Sequence, residues 1–203
     1  MDSQVLTSLI NNAALLLAIA VLYDIAFSGA ESNTLGKQTL VGLVIGLIGM
    51  ALMLNPWTHT PGLIFDTRSV LLSTSGLFFG AIPTAVAVVA TGLFRIYQGG
   101  FGTLTGVTVI LITAGLGVAW RYRRSRFFSQ PPGWLELYGF GVVAHIAMLL
   151  CMFTLPWSVA LDALQKISLP VLLIYPVATV LLGRLLAHQA EREEVRQALK
   201  AVG

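Results

Sequence analysis

From Ser69 to Phe94 the chain runs for 26 residues without a charged side chain. A stretch of that length and polarity reads as membrane-spanning helix. As one straight helix it would be about 39 Å long and would overshoot a hydrocarbon core of about 30 Å. Gly80-Ala81-Ile82-Pro83 stands in its middle. A proline there removes a backbone donor and clashes with the preceding turn. The segment is therefore expected to be kinked, or to consist of two short helices meeting at Pro83.

The rest of the sequence belongs with that segment. Hydrophobic residues make up 56% of the 203 and charged ones only 10%, whereas a soluble domain of this size would be coated in charge. Span one is expected at about Val5–Phe27, with Asn11, Asn12 and Asp24 facing protein. It has no basic leader or small-residue cleavage pattern and reads as a retained span. Span two, at about Leu40–Leu54, carries Gly42, Gly46 and Gly49 as a stripe for close helix packing and stops at Asn55-Pro56-Trp57. Span four follows the turn Gln98-Gly99-Gly100-Phe101-Gly102, starts at Thr103 and ends at Trp120. Spans five (about Leu135–Leu155) and six (about Leu169–Leu186) form a hairpin through Pro156-Trp157. The fold class is thus all-α: a polytopic bundle of five or six transmembrane helices with a proline-broken central segment. No room remains for a soluble catalytic domain.

The formal charge of +3 does not point to nucleic acid, because the basic residues sit next to apolar segments, at Arg121-Tyr122-Arg123-Arg124-Ser125-Arg126 and again from Arg184 onward. Such clusters orient a membrane protein, and both predict the cytosol for their loops and for the C-terminus. Counting backward, a continuous Ser69–Phe94 helix gives six spans and a cytosolic N-terminus; a re-entrant pair gives five and an external one. Lys37 and Arg68 do not choose between them. Cys151, alone in the chain, excludes a disulfide or a thiolate cluster within it. His145 has no second His or carboxylate at i+3 or i+4, so a metal site is not expected and the residue reads as a hydrogen-bonded interior histidine. Neither a cofactor motif nor a nucleophile paired with a base is found, so the chain itself is not expected to be an enzyme.

Beyond His188 the sequence is rich in helix formers, with no glycine or proline until Gly203, and the last span should continue as a helix. His188, Arg192, Val195, Leu199 and Val202 alternate spacings of four and three, a weak heptad seam suited to a homodimer. The division expected is 1–187 for the transmembrane part and 188–203 for a cytosolic helical linker.

Three stretches occur in order: Phe65-Asp66-Thr67-Arg68-Ser69-Val70, Gly76-Leu77-Phe78-Phe79-Gly80-Ala81-Ile82-Pro83 and Leu93-Phe94-Arg95-Ile96-Tyr97-Gln98-Gly99-Gly100. In sequence and separation they resemble the LytS-type five-transmembrane receptor family. Asn11-Asn12, the glycine-rich second span and the arginine-rich loop after the fourth are similar as well. The resemblance implies a sensory domain in the bacterial inner membrane, placed ahead of a histidine kinase, a diguanylate cyclase or a related cytoplasmic output domain, in cis or in trans. It also implies sensing of small extracellular molecules. No such output domain is recognisable before Gly203, and a fragment of a longer receptor is the expectation. A small-solute carrier or a substrate-binding transporter subunit is the alternative, since glycine-rich spans and a broken helix also occur there; the charged helical tail speaks against it.

Arg68 and Arg95 bracket the central segment. Arginines at span ends commonly snorkel to headgroups. If the chain folds back at Pro83, however, both emerge on one side and can offer two planar donor forks to one small anion. Ser69, Ser73 and Thr103, with Thr91 and Thr105, could line the same cavity, although hydroxyls in membrane helices more often bond their own backbone. Asp66 is expected to cap a helix or to pair with Arg68. The candidate ligand-binding residues are therefore Arg68, Arg95, Ser69, Ser73 and Thr103, and the candidate ligand is a small carboxylate.

Overall fold

The computed structural model of the chain describes residues 34–54, 57–60, 63–125 and 131–202. The expected first span with Asn11, Asn12 and Asp24, and the last members of the arginine cluster and the tail, Arg126 and Gly203, lie outside the described residues.

Helix α1 (Leu35–Leu54) is followed by a short antiparallel hairpin, β1 (Trp57–Thr60) with β2 (Leu63–Phe65). Then come α2 (Arg68–Phe79), α3 (Ala81–Gln98), α4 (Thr103–Ser125), α5 (Trp134–Leu150) with a 3-10 turn at Cys151–Thr154, and α6 (Trp157–Val202). Five of these are long and apolar enough to cross a membrane: α1, α3, α4, α5 with its 3-10 turn, and the first 33 residues of α6. The chain is a multi-pass membrane protein. Leu47, Leu93, Leu111, Leu150 and Leu181 are exposed on the outside of the bundle, where lipid tails would meet them.

The central segment does fold back, at Gly80. This residue has φ +85° and ψ −165°, a backbone conformation essentially restricted to glycine. Pro83 lies three residues later, in the first turn of α3, where its missing N–H would have had no intrahelical partner anyway. The break precedes the proline because only Gly80 can take the positive φ that reverses the chain. α2 and α3 then run antiparallel, with Ser75 Oγ 3.3 Å from Thr84 Oγ1. Arg121 of α4 donates from Nη1 to the carbonyls of Leu77 (3.0 Å) and Phe78 (2.7 Å), satisfying acceptors that end α2 without intrahelical partners.

Glycines set the interhelical distances. A Cβ at Gly42 would lie 2.5 Å from the Pro83 carbonyl oxygen, one at Gly46 2.8 Å from Ala90 Cβ, and one at Gly49 2.5 Å from Thr91 Cγ2. The stripe of α1 thus packs on α3, as expected of small residues in membrane helices. Those pairings rise together along both helices, and Gln98 Nε2 donates to the Met53 carbonyl at 3.2 Å. α1 and α3 are therefore parallel, with α2 returning the chain between them. α2 packs on α4 through Gly76 and Gly117: a Cβ at Gly76 would fall 2.6 Å from Val118 N, and one at Gly117 would run into the Ser73 carbonyl oxygen.

The sequence places span six at about Leu169–Leu186, whereas α6 is one helix from Trp157 to Val202, about 69 Å long. Asp162, Lys166 and Ser168 interrupt the apolar run of its first turns, yet each is compatible with a helix. Lys166 pairs with Asp162 at i−4 (2.8 Å) on an exposed face, and Ser168 donates to the Leu164 carbonyl. Pro170 and Pro176 lie inside this helix, and Gly141 of α5 packs against Pro176. A buried core of Ile45, Leu52, Leu71, Leu72, Ile110 and Leu186 joins α1, α2, α4 and α6.

Two ends result. One holds the Gly80 reversal, Arg121, Arg123 and the Arg124–Glu136 ion pair (2.9 Å). The other holds the β-hairpin, Arg68, Arg95 and the turn from Gly99 to Gly102. Replacing Gly117 with alanine forces α2 and α4 apart and is expected to cost at least about 2 kcal/mol. Gly115, two residues away with nothing within 4 Å of its Cβ direction, should accept alanine without loss. Thermal unfolding of the two variants in detergent checks this; equal losses would mean that α2 and α4 do not meet at Gly117.

Candidate functional site

The Gly80 reversal brings the start of α2 beside the end of α3. Asp66 and Thr67 precede α2; the Asp66 carboxylate accepts from the Arg68 backbone N–H at 3.0 Å and lies 3.3 Å from Arg68 Nε, both through Oδ1. It thus acts as a helix-start acceptor and as an ion-pair partner at once. Arg95, near the end of α3, lies at the same end of the bundle, close enough for the charges of Arg68 and Asp66 to act on its guanidinium. Arg95 Nη1 donates to the Gly99 carbonyl at 2.8 Å, across the turn that leads into α4. A Cβ at Gly106 of α4 would lie 2.5 Å from Arg95 Nε. Glycine at that position therefore lets the guanidinium lie against the helix.

All three charged groups are out of solvent: Asp66 is 4% exposed, Arg68 5% and Arg95 2%. Arg68 is paired with the carboxylate and Arg95 has no ion-pair partner among the described residues, so the three groups together carry a formal charge of +1. Taking an ion out of water costs several kcal/mol, and a partner offsets this only when its geometry and hydrogen bonds are good. Among the described residues Asp66 Oδ2, Thr67 Oγ1, Arg68 Nη1, Arg95 Nε and Gln98 Oε1 are buried without a hydrogen-bond partner. An unmade bond to a buried polar group costs about 1–3 kcal/mol. Asp66, Thr67 and Arg68 are consecutive, and Arg95 and Gln98 stand one turn apart at the end of α3, so all five atoms belong to the hairpin end of the bundle.

A second layer ties this cluster to α5 and α6. Ser69 Oγ is 3.3 Å from His145 Nε2, and His145 Nδ1 is 2.7 Å from the Gly141 carbonyl. His145 is completely buried, with both ring nitrogens engaged. Its edge meets the Tyr175 ring at a centroid distance of 5.1 Å. Tyr175 of α6 in turn donates from its hydroxyl to the Asp66 carbonyl at 3.2 Å. The residues on both sides of Arg68 are therefore held by the two C-terminal helices.

Of the five residues singled out from the sequence, Arg68 and Arg95 are both buried, at the hairpin end of the bundle. Ser69 faces His145 next to them. Ser73 lies one turn deeper; its hydroxyl donates to the Val70 carbonyl at 3.2 Å, and its own carbonyl lies against Gly117. Thr103 donates to the Gly100 carbonyl at 2.8 Å, inside the turn. Thr91 likewise bonds its own helix at Ala87, and Thr105 pairs with Thr154 at 2.6 Å. Sequence reasoning did not include Gln98 or Tyr175. Gln98 carried a usable signal, standing three residues after Arg95 and therefore on the same helix face. Tyr175, 109 positions from Asp66, carried none. Among the described residues no three His, Cys, Asp or Glu side chains are grouped to hold a metal ion.

The family model described as "5TMR of 5TMR-LYT" matches residues 17–189. Sensor protein LytS of Bacillus subtilis (strain 168) is 25% identical over 191 residues, covering 92% of this chain and 30% of that protein. The chain thus spans less than a third of that curated relative. No solved structure matches.

The charge balance predicts an asymmetry between variants. Asp66→Asn leaves two buried cations unpaired and is expected to lower the stability of the ligand-free protein by about 3–5 kcal/mol. Arg95→Met removes the surplus cation while the Arg68–Asp66 pair survives, and should be neutral or stabilising in thermal unfolding. Equal destabilisation by the two would show that Arg95 is already balanced by another group.

Proposed function

The chain belongs to the 5TMR-LYT family of transmembrane sensory domains. From that premise we propose that its input is a small carboxylate held between Arg68 and Arg95, and that its output is a change in α6 read by a cytoplasmic kinase or cyclase domain. The observation that carries this reading is a pair of buried arginines at the same end of the bundle, Arg68 paired with Asp66, each keeping a donor unpartnered among the described residues. Planar guanidinium forks match a carboxylate, and a monoanion would bring the cluster to neutrality. Ser69, Ser73 and Thr103 complete the candidate set only in part, since the last two hydroxyls already have backbone partners.

Orientation supports the same reading. Arg121, Arg123 and Arg124 stand at the Gly80 end, and Arg184 and Lys37 lie toward it. By the bias of cytosolic loops toward Lys and Arg, that end faces the cytosol of a bacterial inner membrane. The arginine cluster at the opposite end then faces outward, within reach of an extracellular solute. α6 begins at Trp157 on the ligand side and continues to Val202 on the cytosolic side without a break. One helix thereby touches the site, through Tyr175, and carries the tail. Val195 and Leu199 are apolar and exposed four residues apart on that tail, suited to a second copy, with residues 188–203 as the linker to an output domain.

Transmission follows from differential contact: a ligand shifts a two-state element only if it binds the two states unequally. An anion that draws Arg68 toward it moves the Asp66 carbonyl, and Tyr175 bonds that carbonyl. Pro170 and Pro176 each remove one backbone hydrogen bond from α6 around Tyr175, which lowers the cost of altering the helix there.

Charge-assisted bonds contribute roughly 1.5–3 kcal/mol each, so Arg68→Ala or Arg95→Ala should weaken carboxylate binding by about ten- to a hundred-fold. Lysine should restore it only in part, because it keeps the charge and loses the fork. Ligand-dependent thermal stabilisation with a panel of short carboxylates, from acetate to succinate, measures this. Equal stabilisation of wild type and both alanine variants would make the arginines headgroup anchors. Tyr175→Phe tests the route to the tail. It should keep the ligand-induced thermal shift and lose the ligand-induced change in amide exchange along 177–190; an unchanged exchange response would take Tyr175 out of the route.

A further inference from the structure

We propose that α6 pairs with α6 of a second copy along a parallel seam that begins inside the membrane, at Ile174, and runs through the membrane exit into the tail. The inference rests on the second-copy reading of Val195 and Leu199 above and extends it upward into the bundle. It starts from the way α6 divides its surface. Pro176, Thr179, Leu182, Gly183 and Leu186 are turned into the protein, and Pro176 and Gly183 meet Gly141 and Leu137 of α5. The other side carries Ile174, Leu181, His188 and Val195, seven residues apart and each exposed. Ala178, Leu185, Arg192 and Leu199 follow them by four, so the row alternates steps of four and three, the spacing of a two-helix seam. With Val202 by sequence position, it extends over about four heptads and about 42 Å of helix. The tail from His188 supplies only about two of these, short of the three or four that sustain a coiled coil. The exposed row above it supplies the rest.

Charge selects the occupant. Two copies inserted in one membrane run in the same direction, so their α6 helices are parallel. In a parallel pair the position before each four-residue partner row faces the position five residues on in the other helix. Glu191 holds such a position, and five residues on stands Arg196. Opposite charges therefore face each other twice across the two-fold axis. Arg184, one heptad earlier, faces Gln189, and no like charges are opposed. At the membrane exit Leu181, Arg184, Leu185, Ala187, His188 and Glu191 line a groove of about 360 Å³. A lipid phosphate drawn to Arg184 would be opposed by Glu191 in the same groove, whereas a second copy brings both signs. Ala178 lets the membrane-embedded part approach closely, and the polar Arg192 fixes register at a cost in stability. Ile174 also precedes Tyr175, whose hydroxyl donates to the Asp66 carbonyl at 3.2 Å. One turn of α6 thus touches the start of α2 on one side and the second copy on the other.

The test is oxidative cross-linking of the full chain in membrane vesicles with copper phenanthroline, using added single cysteines. The wild type, whose Cys151 is buried, is the blank. Ile174→Cys, Leu181→Cys and Val195→Cys are expected to give a covalent dimer, and Leu111→Cys, exposed on α4, none above the blank. Adding Glu191→Lys to Leu181→Cys should lower the dimer yield about two- to fivefold, the scale of exposed ion pairs, and adding Arg196→Glu as well should restore it. A dimer at Val195→Cys with none at Ile174→Cys or Leu181→Cys would overturn the inference and leave the tail reading standing. No dimer at any of the three would remove both. Cross-linking of Leu111→Cys as strong as theirs would reduce the contacts to random collision and overturn the seam. A Glu191→Lys loss that Arg196→Glu does not repair would overturn its parallel register.

Discussion

The reversal at Gly80 is the constraint on which the remaining architecture depends. A continuous helix from Ser69 to Phe94 would carry Arg68 and Arg95 to opposite ends. A positive φ at one residue instead folds the segment onto itself and puts both at one end. The reversal leaves the last carbonyls of α2 without intrahelical partners. Arg121 of α4 supplies the missing donors, and the Gly76–Gly117 contact sets α4 close enough for it to do so. The arginine cluster after span four thus has a part inside the fold as well as at the membrane surface.

At the other end polar chemistry is unevenly settled. Most hydroxyls of the bundle bond their own helix, as at Ser73, Thr74, Thr91 and Thr113, and contribute little more than compatibility with a buried position. His145 and Tyr175 are engaged with groups on other elements. The contrast is with Asp66, Arg68, Arg95 and Gln98, each of which keeps a buried polar atom unpartnered among the described residues. Among the described residues the buried side-chain polar atoms without partners all belong to the start of α2 and the end of α3.

Much of this was legible in the sequence. The spans follow from hydropathy and length, the glycine stripe of α1 from its spacing, the two-arginine bracket from position, and the Asp66–Arg68 pairing from proximity at a helix start. The family resemblance rested on the same central residues that include Asp66, Arg68 and Arg95. Less legible were the exact place of the break, where the proline drew attention away from the glycine three residues earlier, and the beginning of α6, where Asp162 and Lys166 hid twelve helical residues.

The sequence by itself determined that the chain is a membrane-embedded helical bundle, since lipid requires every backbone group to be satisfied within a segment and only apolar runs of span length can do that. It also determined which residues carry charge near the spans. Tertiary structure decided which of those charges meet. Arg95 lies against Gly106, Tyr175 reaches the Asp66 carbonyl from 109 residues away, and Ser69 finds His145. Such contacts depend on how closely helices approach and in which direction each runs. Both are set by packing between glycines on different elements, and no local pattern along the chain encodes them.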